Sequence, residues 1–380
     1  MTASESEALL YLDNEETTRN FLNDISAVRE IAVDTEGASF HRFIDRIYLL
    51  QISTRQRSAI IDPLPLGKLD GLGNLLQDKK VEVVFHDADY DLRLLHQDYG
   101  WNVNHIFDTR IAAQLLGIKT FGLAALLEQF FGVKLDKKHQ RADWSLRPLP
   151  PGMLDYAAQD TRYLLELRDQ LKSRLEKLER WEWAREEFAR LEGTKWESDE
   201  NSDAFLRIKG ARDLTRRELA LLRELVPWRD SVARDIDRAT FRVMGNEVLL
   251  DIARIAPKTA RDLSGLKGMP RGILDRGATA ILSAVQRGLD VAEEHLPKFP
   301  RAPKWEREDD FDDRVSRLKS VRDAAAARLQ LDPGVLCSRE RLEAIARRRP
   351  DTTGDLGDIP GLRKWQIGEM GEEFVGALKV

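Results

Sequence analysis

The amino-acid sequence predicts an α/β domain followed by all-α domains. Three observations predict it. Short β-branched runs alternate with helical patterns over the first 120 residues, only helical apolar spacing follows residue 205, and the second half repeats itself. At 380 residues the chain is also longer than one ordinary domain.

Taken in order, "IAVDTEG" (31–37), "RIYLLQIS" (46–53) and "SAIIDPL" (58–64) read as the first three strands of a sheet. "VEVVFHDA" (81–88) is a further strand. "ADYDLRLLHQDYG" (88–100) leaves it as a helix, with Asp87 or Asp89 as N-cap and Gly100 as stop. "RIAAQLLG" (110–117) and "GLAALLEQFFG" (122–132) are amphipathic helices closed by glycine. The stretch "VKLDKKHQRADWSLRPLPPG" (133–152) is a long loop, and such loops in compact domains are often functional. A helical pattern then runs from Met153 to Leu191, long enough to expect a kink or break. The polar segment 192–204 and the proline-rich segment 295–313 read as linkers. The expected domains are residues 1–200, 206–295 and 305–380.

The last two are copies of one another. An offset of 93 residues, without a gap, carries Arg229-Asp230 onto Arg322-Asp323, Ile252-Ala253-Arg254 onto Ile345-Ala346-Arg347, Pro257 onto Pro350 and Gly268 onto Gly361. Their charges differ. Residues 1–205 carry a net −10, residues 206–288 a net +7, and residues 303–380 a net −1. The basic first copy is a candidate phosphate-binding surface, with Arg229, Arg234, Arg238 and Arg242 as its candidate contacts. A salt-bridged helix face is the alternative.

The totals exclude several classes. A net charge of −5 argues against a generic nucleic-acid sponge. The lone Cys337 rules out an internal disulfide framework and suits a reducing compartment. The acidic start lacks a secretory pattern, and no stretch approaches eighteen uncharged apolar residues. A soluble cytoplasmic protein with no membrane partner is the expectation.

Four carboxylates stand in unusual places. Asp34 and Glu36 sit at alternate positions of the first strand read, so they share a face. Asp91 falls in the first turn of the helix after the "VEVVFH" strand. Asp160 lies four residues after Tyr156, one helical turn along the same face. Converging on one cleft, these groups would repel one another strongly without cations. Carboxylate oxygens suit Mg²⁺ or Mn²⁺, and two such ions about 4 Å apart can clamp a scissile phosphate. His41, His86, His96, His105 and His139 do not fall at metal-ligand spacing and read as loop or core histidines. Lys137, Lys138 and Arg141 are candidates for phosphate contact, with a solvated loop as the alternative. Trp144 reads as a packing anchor.

The ordered motifs "VDTEG", "HDADYDLRLL" and "DYAAQDTRYLL" resemble those of the DEDD exonucleases and, within them, closely the ribonuclease D family. The Y-x-x-x-D form of the third motif marks the tyrosine subgroup. The sister subgroup has His five residues before the Asp, where Asp155 stands here. The loop "DKKHQRADWSLRPL" is similar too, and the two repeats resemble HRDC domains, the first strongly and the second weakly. The departures are His86, where many relatives have Asn, and Val321, which faces Trp228 of the first copy.

The resemblance implies a ribonuclease-H-like mixed sheet and a 3′→5′ exoribonuclease acting on structured RNA such as tRNA precursors, releasing 5′-monophosphates. It implies two divalent metal ions, Mg²⁺ or Mn²⁺. Asp34, Glu36 and Asp160 would hold the ion that activates water, Asp34 would bridge to a second ion, and Asp91 would act through water or directly. Tyr156 would orient or deprotonate the attacking water. A DNA exonuclease and an inactive nucleic-acid-binding module are the competing readings. The four carboxylates and the tyrosine, all present, disfavour the second.

Overall fold

The structure is a computed structural model that describes residues 9–136, 138–197, 203–300 and 308–379. It divides into two compact units. One comprises the described residues of Met1–Glu36, Ile47–Trp196 and Trp305–Val380, the other those of Gly37–Arg46 and Glu197–Lys304. The second repeat thus belongs to the same unit as the sheet. The ten residues Gly37–Arg46, from the last residue of the first strand read from the sequence to the first residue of the second, belong to the unit of the first repeat.

In the first unit, β1 (Leu10–Leu12) precedes α1 (Glu15–Asp24), and β2 (Glu30–Glu36), β3 (Leu49–Ser53) and β4 (Ser58–Ile61) follow. After α2 (Asp70–Gln77) come β5 (Glu82–Phe85), α3 (Asp89–Tyr99) and β6 (Ile106–Asp108). The sheet runs β1-β4-β3-β2-β5-β6. The β2–β3 and β3–β4 pairs are antiparallel, the other three parallel. It is the mixed sheet the sequence led us to expect, with two additional strands. β1 and β6 are only three residues each, too short to show alternation, so "IAVDTEG" forms the second strand rather than the first.

The helices α4 (Thr109–Leu115) and α5 (Leu123–Phe131) end near Gly117 and at Gly132, both left-handed at φ 75° and 70°. The expected break in 153–191 occurs twice. It separates α6 (Pro151–Arg162), α7 (Leu164–Lys177) and α8 (Trp181–Leu191). Ile31 and Val33 pack into one core with Ile52, Val83 and Phe85. Ala32, Val84 and Phe107 face the opposite core, which contains Leu126, Leu164 and Phe188.

The repeat is structural as well as sequential. The first copy contains α9 (Arg216–Asp235), α10 (Thr240–Val243), α11 (Asn246–Ile255), α12 (Ala260–Ser264) and α13 (Arg271–Leu289). The second contains α14 (Phe311–Leu329), α15 (Pro333–Leu336), α16 (Arg339–Arg348) and α17 (Lys364–Leu378). The 93-residue offset carries α10 onto α15 and α11 onto α16 end to end. It also carries the left-handed Ala256 and Gly268 (φ 49° and 81°) onto Arg349 and Gly361 (φ 49° and 81°).

Within the first unit the second copy shares one continuous apolar core with α4, α7 and α8. Trp183 and Trp365 stack at 4.7 Å. The Glu186 carboxylate accepts the Lys364 and Trp365 amide protons at the start of α17, at 2.8 and 3.1 Å. Arg180 donates to the Leu115 and Leu329 carbonyls, at 2.8 and 2.6 Å. Gly117 is needed for this contact, since a Cβ there would lie 2.2 Å from the Gln330 carbonyl oxygen. Arg363 pairs with Glu187 at 2.9 Å, with side-chain exposures of 7 and 15%. Removing Arg363 leaves Glu187 only the Trp365 indole N–H and Arg190, at 3.0 and 3.4 Å. Arg363→Ala is therefore expected to lower unfolding free energy by about 2 kcal/mol in a denaturant titration. Arg339→Ala, which breaks the exposed Arg339–Glu343 pair, should cost under about 1 kcal/mol.

Candidate metal centre

Strand β2 presents Asp34 and Glu36 on the face opposite Ile31 and Val33, as strand alternation requires. Helix α6 lies over that face. Its Thr161 hydroxyl is 2.8 Å from the Ser53 hydroxyl on β3, which anchors the helix one residue beyond Asp160. One carboxylate oxygen from each of Asp34, Glu36 and Asp160 lies within 4.8 Å of the others. Three hard oxygen donors at that spacing fit Mg²⁺ or Mn²⁺, which take carboxylate and water oxygens.

Asp91 reaches the same strand by another route. Its Oδ1 accepts both the backbone N–H and the hydroxyl of Thr35, at 3.0 and 2.6 Å, and it is buried. Thr35 points away from the Asp34 and Glu36 side chains, so the strand is gripped between the three-carboxylate group and the start of α3.

That start is not capped as the sequence suggested. The residue before α3 is Ala88, and neither Asp87 nor Asp89 caps it. Instead the buried Asp108 accepts the Ala88 amide proton at 2.8 Å and also caps α4 through Arg110 and Ile111, at 2.8 and 3.1 Å. Gly100 does end α3, left-handed at φ 70°. His86 bonds Thr109 at 2.9 Å, and burial lowers its pKa to about 4, so it stays a neutral partner of Thr109.

The electrostatics follow from the crowding. Burial, then the Asp160 charge, holds Asp34 well above the usual carboxylate range. Burial and the charges of Asp34, Asp160 and Asp91 do the same to Glu36. Burial and Asp34 raise Asp91 against the two Thr35 hydrogen bonds. Burial and Asp91 push Asp160 to about 7. The three β2 and α6 carboxylates nonetheless keep part of their surface open to solvent, as an ion's water ligands would need.

Tyr156, one turn before Asp160 on α6, is held above its ordinary pKa by burial and by Asp160, Glu36 and Asp34. Without ions it therefore keeps its phenol proton. Trp144 and His139 flank it with ring centroids at 6.0 and 5.8 Å. Trp144 is fully buried, in line with a packing anchor. Arg147 fastens this loop to the sheet through bonds to Asp62 and the Tyr48 carbonyl, at 2.8 and 2.9 Å.

Lys138 and Arg141 are exposed in the loop, and Lys137 lies outside the described residues. In the first repeat, Arg234, Arg238 and Arg242 are exposed. Arg229 is a correction. It is 7% exposed and turned inward onto Asp230 and Asn246, at 3.0 and 2.8 Å, so it cannot belong to a phosphate-reading face. Its counterpart Arg322 does the same with Asp323, at 2.9 Å. A charge that both copies keep in register was the sequence signal for an internal role.

Sequence reasoning passed over Thr35, Asp108 and Gln51. Gln51 pairs with Asp34 across β2–β3, is fully buried, and neither atom of its amide has a partner among the described residues. The signal was a lone polar residue inside the apolar run "YLLQIS".

The family model described as 3′-5′ exonuclease matches residues 10–176, and the HRDC domain model matches 218–285 and 311–378. A ribonuclease D of Granulibacter bethesdensis is 30% identical over 92% of this chain and 87% of its own length. Protein RRP6-like 2 of Arabidopsis thaliana is 32% identical over 73% of the chain, which spans about a third of that longer relative (33%). The crystal structure of Escherichia coli RNase D, 24% identical, superposes with a TM-score of 0.75 over 98% of this chain and 99% of its own, which shows a shared fold.

The raised carboxylates carry a stability consequence. Folded pKa values above the unfolded values mean that the ion-free fold loses stability as pH rises from about 4, the unfolded Asp value, through the Asp160 value of about 7. In EDTA, Asp160→Asn should therefore melt several degrees above the parent at pH 8 and close to it at pH 4. Mn²⁺ should raise the parent's melting temperature more at pH 8 than at pH 5, read by differential scanning fluorimetry.

Proposed function

The chain belongs to the ribonuclease D family of 3′-5′ exoribonucleases, and from that premise we propose that it trims the 3′ ends of structured RNA such as tRNA precursors, releasing nucleoside 5′-monophosphates. In this reading it works in the cytoplasm. Among the described residues no helix is long and apolar enough to cross a membrane. The observation that carries the reading is the convergence of Asp34, Glu36 and Asp160 within 4.8 Å.

Asp34, Glu36 and Asp160, with Asp91 acting through water or directly, would hold two divalent ions, Mg²⁺ or Mn²⁺. Bound there, they would supply positive charge to the scissile phosphate and a more acidic water. The protein's own part is placement. Thr35 fixes Asp91, and α6 brings Asp160 and Tyr156 to the strand in fixed register. The protonated Tyr156 hydroxyl donates or accepts one hydrogen bond and so orients the attacking water. Lys138 and Arg141 on the neighbouring loop are proposed phosphate contacts, together with Lys137.

The test uses matched RNA and DNA strands labelled at the 5′ end. The expected result is a ladder on RNA with Mg²⁺ or Mn²⁺ that EDTA abolishes. Equal degradation of DNA would refute the RNA assignment. Asp34→Asn is expected to cut kcat by about a thousandfold while the protein stays folded, because the metals' charge stabilisation is worth several kcal/mol. Near-parent activity would rule out the metal assignment. Tyr156→Phe should lose roughly a hundredfold in kcat with Mn²⁺ affinity unchanged in calorimetry.

A further inference from the structure

The unit of the first repeat presents a surface that its fold does not require. Segment 37–46 lies against residues 234–242. Phe40 and Phe241 meet edge to face with ring centroids 6.4 Å apart, and they are 45 and 51% exposed. The Arg234 guanidinium stands 5.1 Å from the Phe43 ring and that of Arg242 stands 5.8 Å from Phe241. Across the two segments there are five arginines and three aspartates.

The rings are not needed to fasten the segment. The Ala239 amide donates to the His41 carbonyl at 3.2 Å, the Phe43 amide to Asp237 at 3.3 Å, and Arg42 pairs with Asp237 at 3.3 Å. Nor does the repeat demand these residues. The 93-residue offset carries Arg234, Arg238, Phe241 and Arg242 onto Ala327, Leu331, Gly334 and Val335. In the second copy Leu331 and Val335 pack into the core shared with α4 and α8. Where the second copy turns Leu331 and Val335 into the core, the first sets exposed Phe241 among guanidinium groups.

Exposed aromatic faces interleaved with arginines suit a flexible polyanion with stackable bases, in which rings stack the bases and guanidiniums meet the phosphates. We propose that Phe40 and Phe241, with Arg234, Arg238 and Arg242, form a stacking platform for single-stranded RNA. The inference rests on the RNA-processing reading above.

The experiment uses the full chain carrying Asp34→Asn, to prevent degradation, and a 5′-fluorescein 12-nucleotide oligoadenylate, with affinity read by anisotropy. Phe241→Leu keeps apolar volume against Phe40 but removes the stacking face. It is expected to weaken binding about tenfold, and Phe241→Trp to bind at least as well as the parent. Arg238→Ala should lower the slope of log affinity against log salt by about 1. Parent-like affinity in Phe241→Leu, or an equal loss in Phe241→Trp, would overturn the platform. The Asp34 enzyme is assayed in parallel on the same RNA. If it fails to shorten RNA while the affinity pattern holds, the activity reading fails and the platform stands. If it shortens RNA while Phe241→Leu binds normally, only the platform fails.

Discussion

Four carboxylates brought to one strand of a buried sheet are the constraint on which the catalytic unit depends. Burial and mutual repulsion raise the pKa of all four, so the arrangement opposes its own folding at neutral pH unless cations are present. Its neighbours hold it in place. Ile31 and Val33 lock β2 from the opposite face, Thr35 holds Asp91, Asp108 holds the starts of α3 and α4, and the Ser53–Thr161 contact seats α6. Little of this framework is chemically reactive. It keeps mutually repelling groups at separations that a divalent ion can use.

The same small helical fold serves two purposes in this chain. Its second copy has become part of the catalytic unit's core, joined by Trp183–Trp365, Arg363–Glu187 and the close approach at Gly117. Truncation of the whole C-terminal half would therefore uncover α4 and α8 as well as remove the first copy, and substitutions are the cleaner probe of the first copy's role. That first copy keeps the inward Arg229–Asp230 pair it shares with Arg322–Asp323, yet turns Arg238 and Arg242 outward where the second turns Leu331 and Val335 into the core. The sign difference between the copies lies partly in this face.

Much of the architecture was legible in the chain. Strand alternation put Asp34 and Glu36 on one face, helical spacing put Tyr156 and Asp160 on another, and a constant offset exposed the repeat. These are periodicities of two, 3.6 and 93, carried by local geometry or by copying. The three-residue strands β1 and β6 were not legible, because a segment that short shows no period and forms only when neighbouring strands pair with it. The N-cap of α3 was misread because the group that serves it, Asp108, is twenty residues away.

By itself the sequence singled out carboxylates as candidate metal ligands, since the residue types and their spacing restrict the chemistry. It also established that the C-terminal half is a duplicated helical domain. Only tertiary structure decided that three of the carboxylates offer oxygens within 4.8 Å of one another, that Thr35 is the clamp on Asp91, that Arg229 points inward, and that the second copy completes the first unit's core. The physical reason is range. Side-chain periodicity is set by bonds to adjacent residues, whereas burial, pKa and pairing depend on what the folded chain brings from tens or hundreds of residues away.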